Sequence, residues 1–409
     1  MSRLAAHAFL LVLFSVTVAV SAEAPEATPP PLAEIAPRPE PVEPPAAGEI
    51  DAALARGVEF LLNRQESNGS WGSPRNTKGL NIYAPVPGAH QAFRAGVTSL
   101  CIAALIETGG DDPQVAAALD RAEEWTFEHL PKVRRANARA IYNNWAHAYS
   151  IQALVRMYHR RAGDPKRQKR IRRLIEQQID LLGRYECVGG GWCYYDFHQG
   201  TQRPGSPSAS FLTAAVLVAL AEARDLGVEV PERLVERGTE SIRRQRKPDF
   251  SYLYGEGLWL RPMYSLNRPG GSLGRSQACN VAMRLWGDKL ATDKVLGAWL
   301  DRLFARNLWL DLGRKRPVPH ESYFAVAGYF FYFGHYYAAL CIEQLPESQR
   351  GFYQDHLAAI LLRLQEKDGS WWDYPFYDYH QQYGTAFALM TLARCRHDGA
   401  WRPAAKPSE

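Results

Sequence analysis

The feature that most restricts this chain is an internal repeat. Residues 56–71 read R-G-x-x-F-L-x-x-x-Q-x-x-x-G-x-W, and residues 360–371 repeat the later part, with Gln365, Gly369 and Trp371 standing for Gln65, Gly69 and Trp71. A weaker copy holds Leu182, Glu186, Gly190 and Trp192. Another begins at Arg237-Gly238, where Tyr252 takes the tryptophan position. The offsets of 121, 181 and 300 residues lie close to multiples of about sixty, which leaves room for six units in residues 50–409.

Each unit reads as a helical hairpin. One helix is amphipathic, as in Ile171, Leu174, Ile175 and Ile179 set among Arg, Glu and Gln. The other is apolar nearly all round, as in residues 96–107 and 210–223, and a helix of that kind is enclosed on both flanks. No segment alternates with period two between turn signals, so strands are not expected. The pattern predicts an all-α fold, a single (α/α)6 toroid of six helical hairpins over residues 49–400, with a tail at 401–409.

The ends have a different composition. Arg3 precedes an apolar run from Ala8 to Val20, and Val20-Ser21-Ala22 supplies small residues, so residues 1–22 read as a signal peptide. An uncleaved membrane anchor is the alternative. The expected location is periplasmic or secreted. Nine of the 27 prolines fall between Pro25 and Pro45, and residues 23–48 read as a Pro/Glu-rich linker that packs no core. The linker region through Glu49 holds six Glu against one Arg, so the body from residue 50 carries 46 basic against 37 acidic residues. That excess is too small to point to nucleic acid. Of six cysteines, Cys187 and Cys193 flank a Gly-rich loop and are the one pair placed for a local disulfide; the spacing leaves open whether it forms.

The repeat resembles the QW motif of squalene-hopene cyclases and related prenyltransferase-like proteins. The resemblance implies the same toroid and a structural role for Gln65, Gly69, Trp71, Trp192, Gln365, Gly369 and Trp371. The Gln amide is expected to satisfy open backbone groups at a helix end while the indole covers them. The chain lacks the Asp-x-Asp-Asp acid of the cyclases and the Asp-Asp-x-x-Asp metal motif of ionising terpene synthases, which argues against terpene cyclase activity. Against the zinc site of protein prenyltransferases, Tyr379-His380-Gln381-Gln382-Tyr383 and Gly270–Arg275 followed by Cys279 are similar. Cys279 and His380 alone do not complete a tetrahedral site, so no cofactor is expected and zinc is disfavoured.

In a toroid the inner helices start at one mouth, where their free N–H groups gather positive potential. The loops leading into them carry the candidate residues. Asn144, Trp145 and His147 stand at one entrance; Tyr195, Asp196, His198 and Arg203 at a second; Glu321 at a third; and Asp378, His380 and Tyr383 at the last, with Arg275 on the helix between. A helix expected from Tyr323 to Leu345 carries nine aromatics, among them Tyr332 and Tyr336, together with His335. Two functions fit. One is an aromatic central cavity that binds an apolar or polymeric ligand. The other is a secreted carbohydrate-active enzyme, either a polysaccharide lyase using Tyr, His, Arg and Asn or a glycoside hydrolase using two carboxylates ~5–9 Å apart. Each entrance also has a plain reading as a capped, hydrogen-bonded helix start. The basic run from Arg156 to Arg173 is expected on the outer face, either solvated or against a membrane or cell-wall polymer.

Overall fold

The computed structural model describes residues 31–46, 48–78, 87–198, 203–321 and 323–396. The signal segment and the 401–409 tail lie outside the described residues. Among the described residues twelve helices of thirteen residues or more build the fold, alternating between an outer and an inner layer. The outer set is α1 (Glu49–Asn63), α3 (Pro113–His129), α5 (Pro165–Arg184), α7 (Glu232–Gln245), α9 (Asp293–Ala305) and α11 (Glu347–Arg363). The inner set is α2 (Pro87–Thr108), α4 (Asn143–Arg160), α6 (Ser210–Asp225), α8 (Leu273–Leu285), α10 (Phe331–Glu343) and α12 (His380–Ala393). Each inner helix packs on the next, and α12 packs on α2, so the circle closes as an (α/α)6 toroid. Among the described residues only isolated bridges occur and no strand forms.

Local chemistry sets the helix starts. Asp112 precedes Pro113 and accepts the Gln114 N–H at 2.7 Å, and Asp164 precedes Pro165 and accepts the Arg167 N–H at 3.0 Å. The inner helices are sealed by apolar side chains on every face. In α6 the run from Ser210 to Ala221 is buried without interruption.

The repeat residues make the seams between hairpins. The Trp71, Trp192 and Trp371 indoles donate to the carbonyls of Leu61, Leu182 and Leu361 at 2.7, 2.9 and 2.8 Å, each in the last turns of the preceding outer helix. The glutamine amides of Gln65 and Gln365 hold the Gly69 and Gly369 carbonyls of the turn past their helices, at 3.0 and 2.9 Å, and also reach the next hairpin. Gln65 reaches across to the carbonyl of Ala118 in α3 at 2.8 Å, and Gln365 reaches Ala53 in α1 at 2.9 Å. The side-chain oxygens of Gln65, Glu186 and Gln365 take Arg121, Arg237 and Arg56 of the next outer helix. The Arg-Gly pair is therefore the receiver of the previous unit. A Cβ on Gly57 would stand 2.9 Å from Trp371, and one on Gly238 would stand 3.1 Å from Trp192. The last unit docks on Arg56-Gly57 just as an internal unit docks on Arg237-Gly238.

Buried ion pairs close the axis at the C-terminal ends of the inner helices. Glu107 of α2, fully buried, takes Arg156 of α4 at 2.6 Å and Arg394 just past α12. Arg156 also reaches Glu222 of α6 at 2.5 Å, and Arg394 reaches Glu343 of α10 at 3.2 Å. The arginines satisfy both the acids and the carbonyl-rich helix ends.

Three expectations are corrected. Residues 31–46 are not a free linker along their described length: Ala33 is buried, Arg302 of α9 donates to the Leu32 carbonyl at 2.8 Å, and His356 of α11 pairs with the Glu40 carbonyl at 2.9 Å. The aromatic helix starts at Phe331, because residues 323–330 form a loop and a 3-10 turn at the mouth. The basic run is only partly a solvated face: Lys166, Lys169, Arg170 and Arg173 stay exposed on α5, while other members are drawn into ion pairs. Arg156 lies in the floor network, and Arg160, Arg161 and Arg167 pair with Asp120, Glu123 and Glu124 of α3.

Candidate functional site

The N-terminal halves of the inner helices enclose a cavity of about 650 Å3 that opens at the mouth formed by their leading loops. Its wall is aromatic. Trp145 of α4 lies near-parallel to Phe211 of α6 with ring centres 5.9 Å apart, and Phe333 of α10 meets Trp145 edge-on at 6.0 Å. Tyr149, Tyr383, Phe93 and Phe376 continue the wall. Such rings bury large areas of apolar ligand and present negative faces to any cation.

Toward the mouth the wall turns from rings to hydroxyls. Tyr194 and Tyr254 share a hydrogen bond of 2.6 Å, Tyr254 and Tyr329 one of 3.1 Å, and Tyr329 meets His320 Nε2 at 2.9 Å. Tyr142 and Tyr195 pair beside them. His320 and Ala325 both hold left-handed backbone, with φ of 64° and 49°, in a tight loop bridged between Glu321 and Val326. Non-glycine residues adopt that region at a cost, and such residues gather at functional sites.

Three titratable groups other than tyrosine line the cavity among the described residues: His320, Asp373 and His380. Asp373 is buried and accepts the Tyr332 N–H at 3.1 Å, which caps the start of α10. Burial pushes its carboxyl up to about 7. His380 Nδ1 pairs with the Tyr377 carbonyl at 2.7 Å, and burial lowers its pKa to about 4, so it is neutral.

The remaining candidates separate clearly. Tyr195, Trp145, His380 and Tyr383 line the cavity. Asp196 lies beneath its loop, paired with Arg135 at 2.9 Å and accepting the His198 and Ser206 N–H groups. His198 and Glu321 are exposed, away from the lining. Asp378 accepts the Ser73 hydroxyl at 3.0 Å outside the lining. Asn144 holds the Cys193 carbonyl at 2.8 Å, and His147 holds Gln178 at 2.7 Å behind the inner wall. Arg203 pairs with Glu186. Arg275, buried, ties down the Tyr252 and Gly271 carbonyls at 3.0 and 2.8 Å. Tyr332 and His335 point into the α10 packing, where His335 meets Asn307 at 2.8 Å; the Tyr336 ring lies over Arg394 of the floor. These groups hold the ring together and do not face the cavity.

Cys279 and His380 do not meet. Cys279 lies on α8 beside Ser210 and Tyr252, whereas His380 starts α12 against Trp372. No group of three or more His, Cys, Asp or Glu suited to a metal ion occurs among the described residues. Cys187 and Cys193 touch, yet both are free thiols packed on Ile141.

No family model matches the chain, and no curated protein matches it. Solved structures do resemble it. The GH76A α-1,6-mannanase from Salegentibacter sp. HEL1_6 superposes with a TM-score of 0.52 at 10% identity, over 85% of this chain and 100% of that one. The type II terpene cyclase MstE from Scytonema gives 0.47 at 15% identity, over 85% and 98%. At such identity the mannanase shows a shared toroid fold and nothing of its chemistry.

Sequence reasoning passed over Phe93, Phe211, Tyr254 and Phe376 as wall residues. A usable signal was the repeat phase: Tyr194, Tyr254 and Asp373 each stand two residues past the motif aromatics Trp192, Tyr252 and Trp371, and all three line the cavity.

Proposed function

We propose that this chain binds an apolar small molecule in its central cavity, as an exported, divergent member of the squalene-cyclase/prenyltransferase-like repeat group. The observation that carries the reading is a chamber of about 650 Å3 walled by Trp145, Tyr149, Phe211, Phe333 and Tyr383 and closed at its far end by ion pairs. Its size falls within the roughly 300–1,000 Å3 of small-molecule pockets. A chamber of this size accepts a compact ligand or the end of a chain. The carbohydrate reading fares less well. Asp373 is the one carboxylate in the described lining, whereas a hydrolase requires two facing each other. Among the described residues no arginine or asparagine lines the wall to hold an acidic sugar.

Displacement of the fluorophore 1-aminoanthracene by farnesyl methyl ether tests the reading. Saturable, stoichiometric binding is expected in the full chain. It is expected to vanish in Gly96→Phe, which sets a ring against Tyr149 in the cavity wall. No saturable binding, or equal binding by the variant, would reject the proposal.

A further inference from the structure

The polar wall of the cavity specifies the head group of its ligand, an inference that rests on the apolar-ligand reading above. His320 Nδ1 lies 2.9 Å from the carbonyl oxygen of Ala325. A carbonyl only accepts, so the ring proton sits on Nδ1. The imidazole is partly buried, which lowers its pKa and favours the neutral form, and Nε2 is therefore an acceptor. Tyr329, 2.9 Å away, must donate to it. With its proton spent, Tyr329 accepts from Tyr254 at 3.1 Å, and Tyr254 in turn accepts from Tyr194 at 2.6 Å. One backbone carbonyl thus points three hydroxyl protons the same way along the wall. The chain ends at the Tyr194 oxygen, which receives no hydrogen bond among the described residues. The left-handed backbone at His320 and Ala325 creates the Nδ1 contact on which this polarity depends.

We propose that the cavity selects an apolar ligand carrying a hydroxyl head, whose proton is donated to the Tyr194 oxygen. An ether or carbonyl of the same shape has no proton to give and leaves that acceptor unmatched. Tyr194 is the contact; His320 is a positioning residue acting through Tyr329 and Tyr254.

Calorimetric titration of the full chain with farnesol and farnesyl methyl ether, which share one hydrocarbon tail, tests this. The alcohol is expected to bind about tenfold tighter, the scale of one matched hydrogen bond in a buried site. Tyr194→Phe is expected to bring the two affinities together by weakening only the alcohol. His320→Phe is expected to narrow the preference as well, because without the Nε2 acceptor the hydroxyl chain can reverse and Tyr194 can donate to an ether oxygen; the alcohol's advantage then falls while the ether still binds, a split that general damage to the fold would not produce. Equal affinities in the wild type, or a preference that survives Tyr194→Phe, would overturn the inference and leave the apolar-ligand reading standing. Failure of both probes to bind would instead remove the reading beneath it.

Discussion

Removing Trp371 tests whether the last hairpin truly docks on the first. Its indole is fully buried, donates to Leu361 at 2.8 Å and lies where Gly57 of α1 leaves room for it. Truncation of a buried aromatic to alanine costs about 3–5 kcal/mol through lost transfer free energy and the cavity left behind. The Leu361 carbonyl loses its donor, which adds on the order of 1 kcal/mol. Trp192 is buried in the equivalent way at an internal seam, where its indole meets Leu182 and Gly238. Trp371→Ala and Trp192→Ala should therefore destabilise the protein by similar amounts in urea unfolding followed by far-ultraviolet circular dichroism. Trp259, 64% exposed near the mouth, supplies the control, with a change within about 0.5 kcal/mol expected for its alanine variant. If Trp371→Ala cost less than about 1 kcal/mol while Trp192→Ala cost the full amount, the ends would not be joined and the closed ring would be wrong.

Two further outcomes follow from the buried charges. Glu107→Ala removes the carboxylate that Arg156 and Arg394 share and leaves each with one acid, Glu222 or Glu343, so a loss of about 1–3 kcal/mol is expected in the same unfolding assay; an unchanged midpoint would show that the floor network does not form. Asp373 has a native pKa of about 7 against about 3.9 when unfolded. Between those values the native carboxyl keeps its proton and the unfolded one does not, so its contribution to stability falls as pH rises from about 4 to about 7 and levels off above. The slope approaches roughly 1.4 kcal/mol per pH unit, and the difference between wild type and Asp373→Asn isolates it; parallel stability curves for the two proteins would refute the shift.

The ring was legible because its determinants are periodic. Trp71 and Trp371 sit at multiples of one repeat, and inner helices such as α6 are apolar on every face, so both layers and their count could be read. What receives each tryptophan was harder to see. Arg56-Gly57 stands beside Gln65 in sequence, yet its partners are Gln365 and Trp371 at the other end of the chain. The site was only partly legible for a related reason. Composition at the entrances mixes groups that face the cavity with groups that pin the loops. Asp196 and Arg203 look as reactive as Tyr195 in sequence, but Arg135 and Glu186 engage them in ion pairs away from the cavity. Nor does any local signal give the depth of Asp373, which depends on α10 and its tyrosines arriving from another unit of the chain. Part of the run from Arg156 was not legible as paired, because the acids that engage Arg160, Arg161 and Arg167, namely Asp120, Glu123 and Glu124, belong to the preceding outer helix.

A crystal structure of the protein grown with farnesyl methyl ether tests the central claim most directly. The account predicts the hydrocarbon tail inside the ring, between the faces of Trp145, Phe211 and Phe333 and above the Glu107–Arg394 floor. Density for ordered water throughout that chamber, with the probe seated on the outer helices instead, would contradict it.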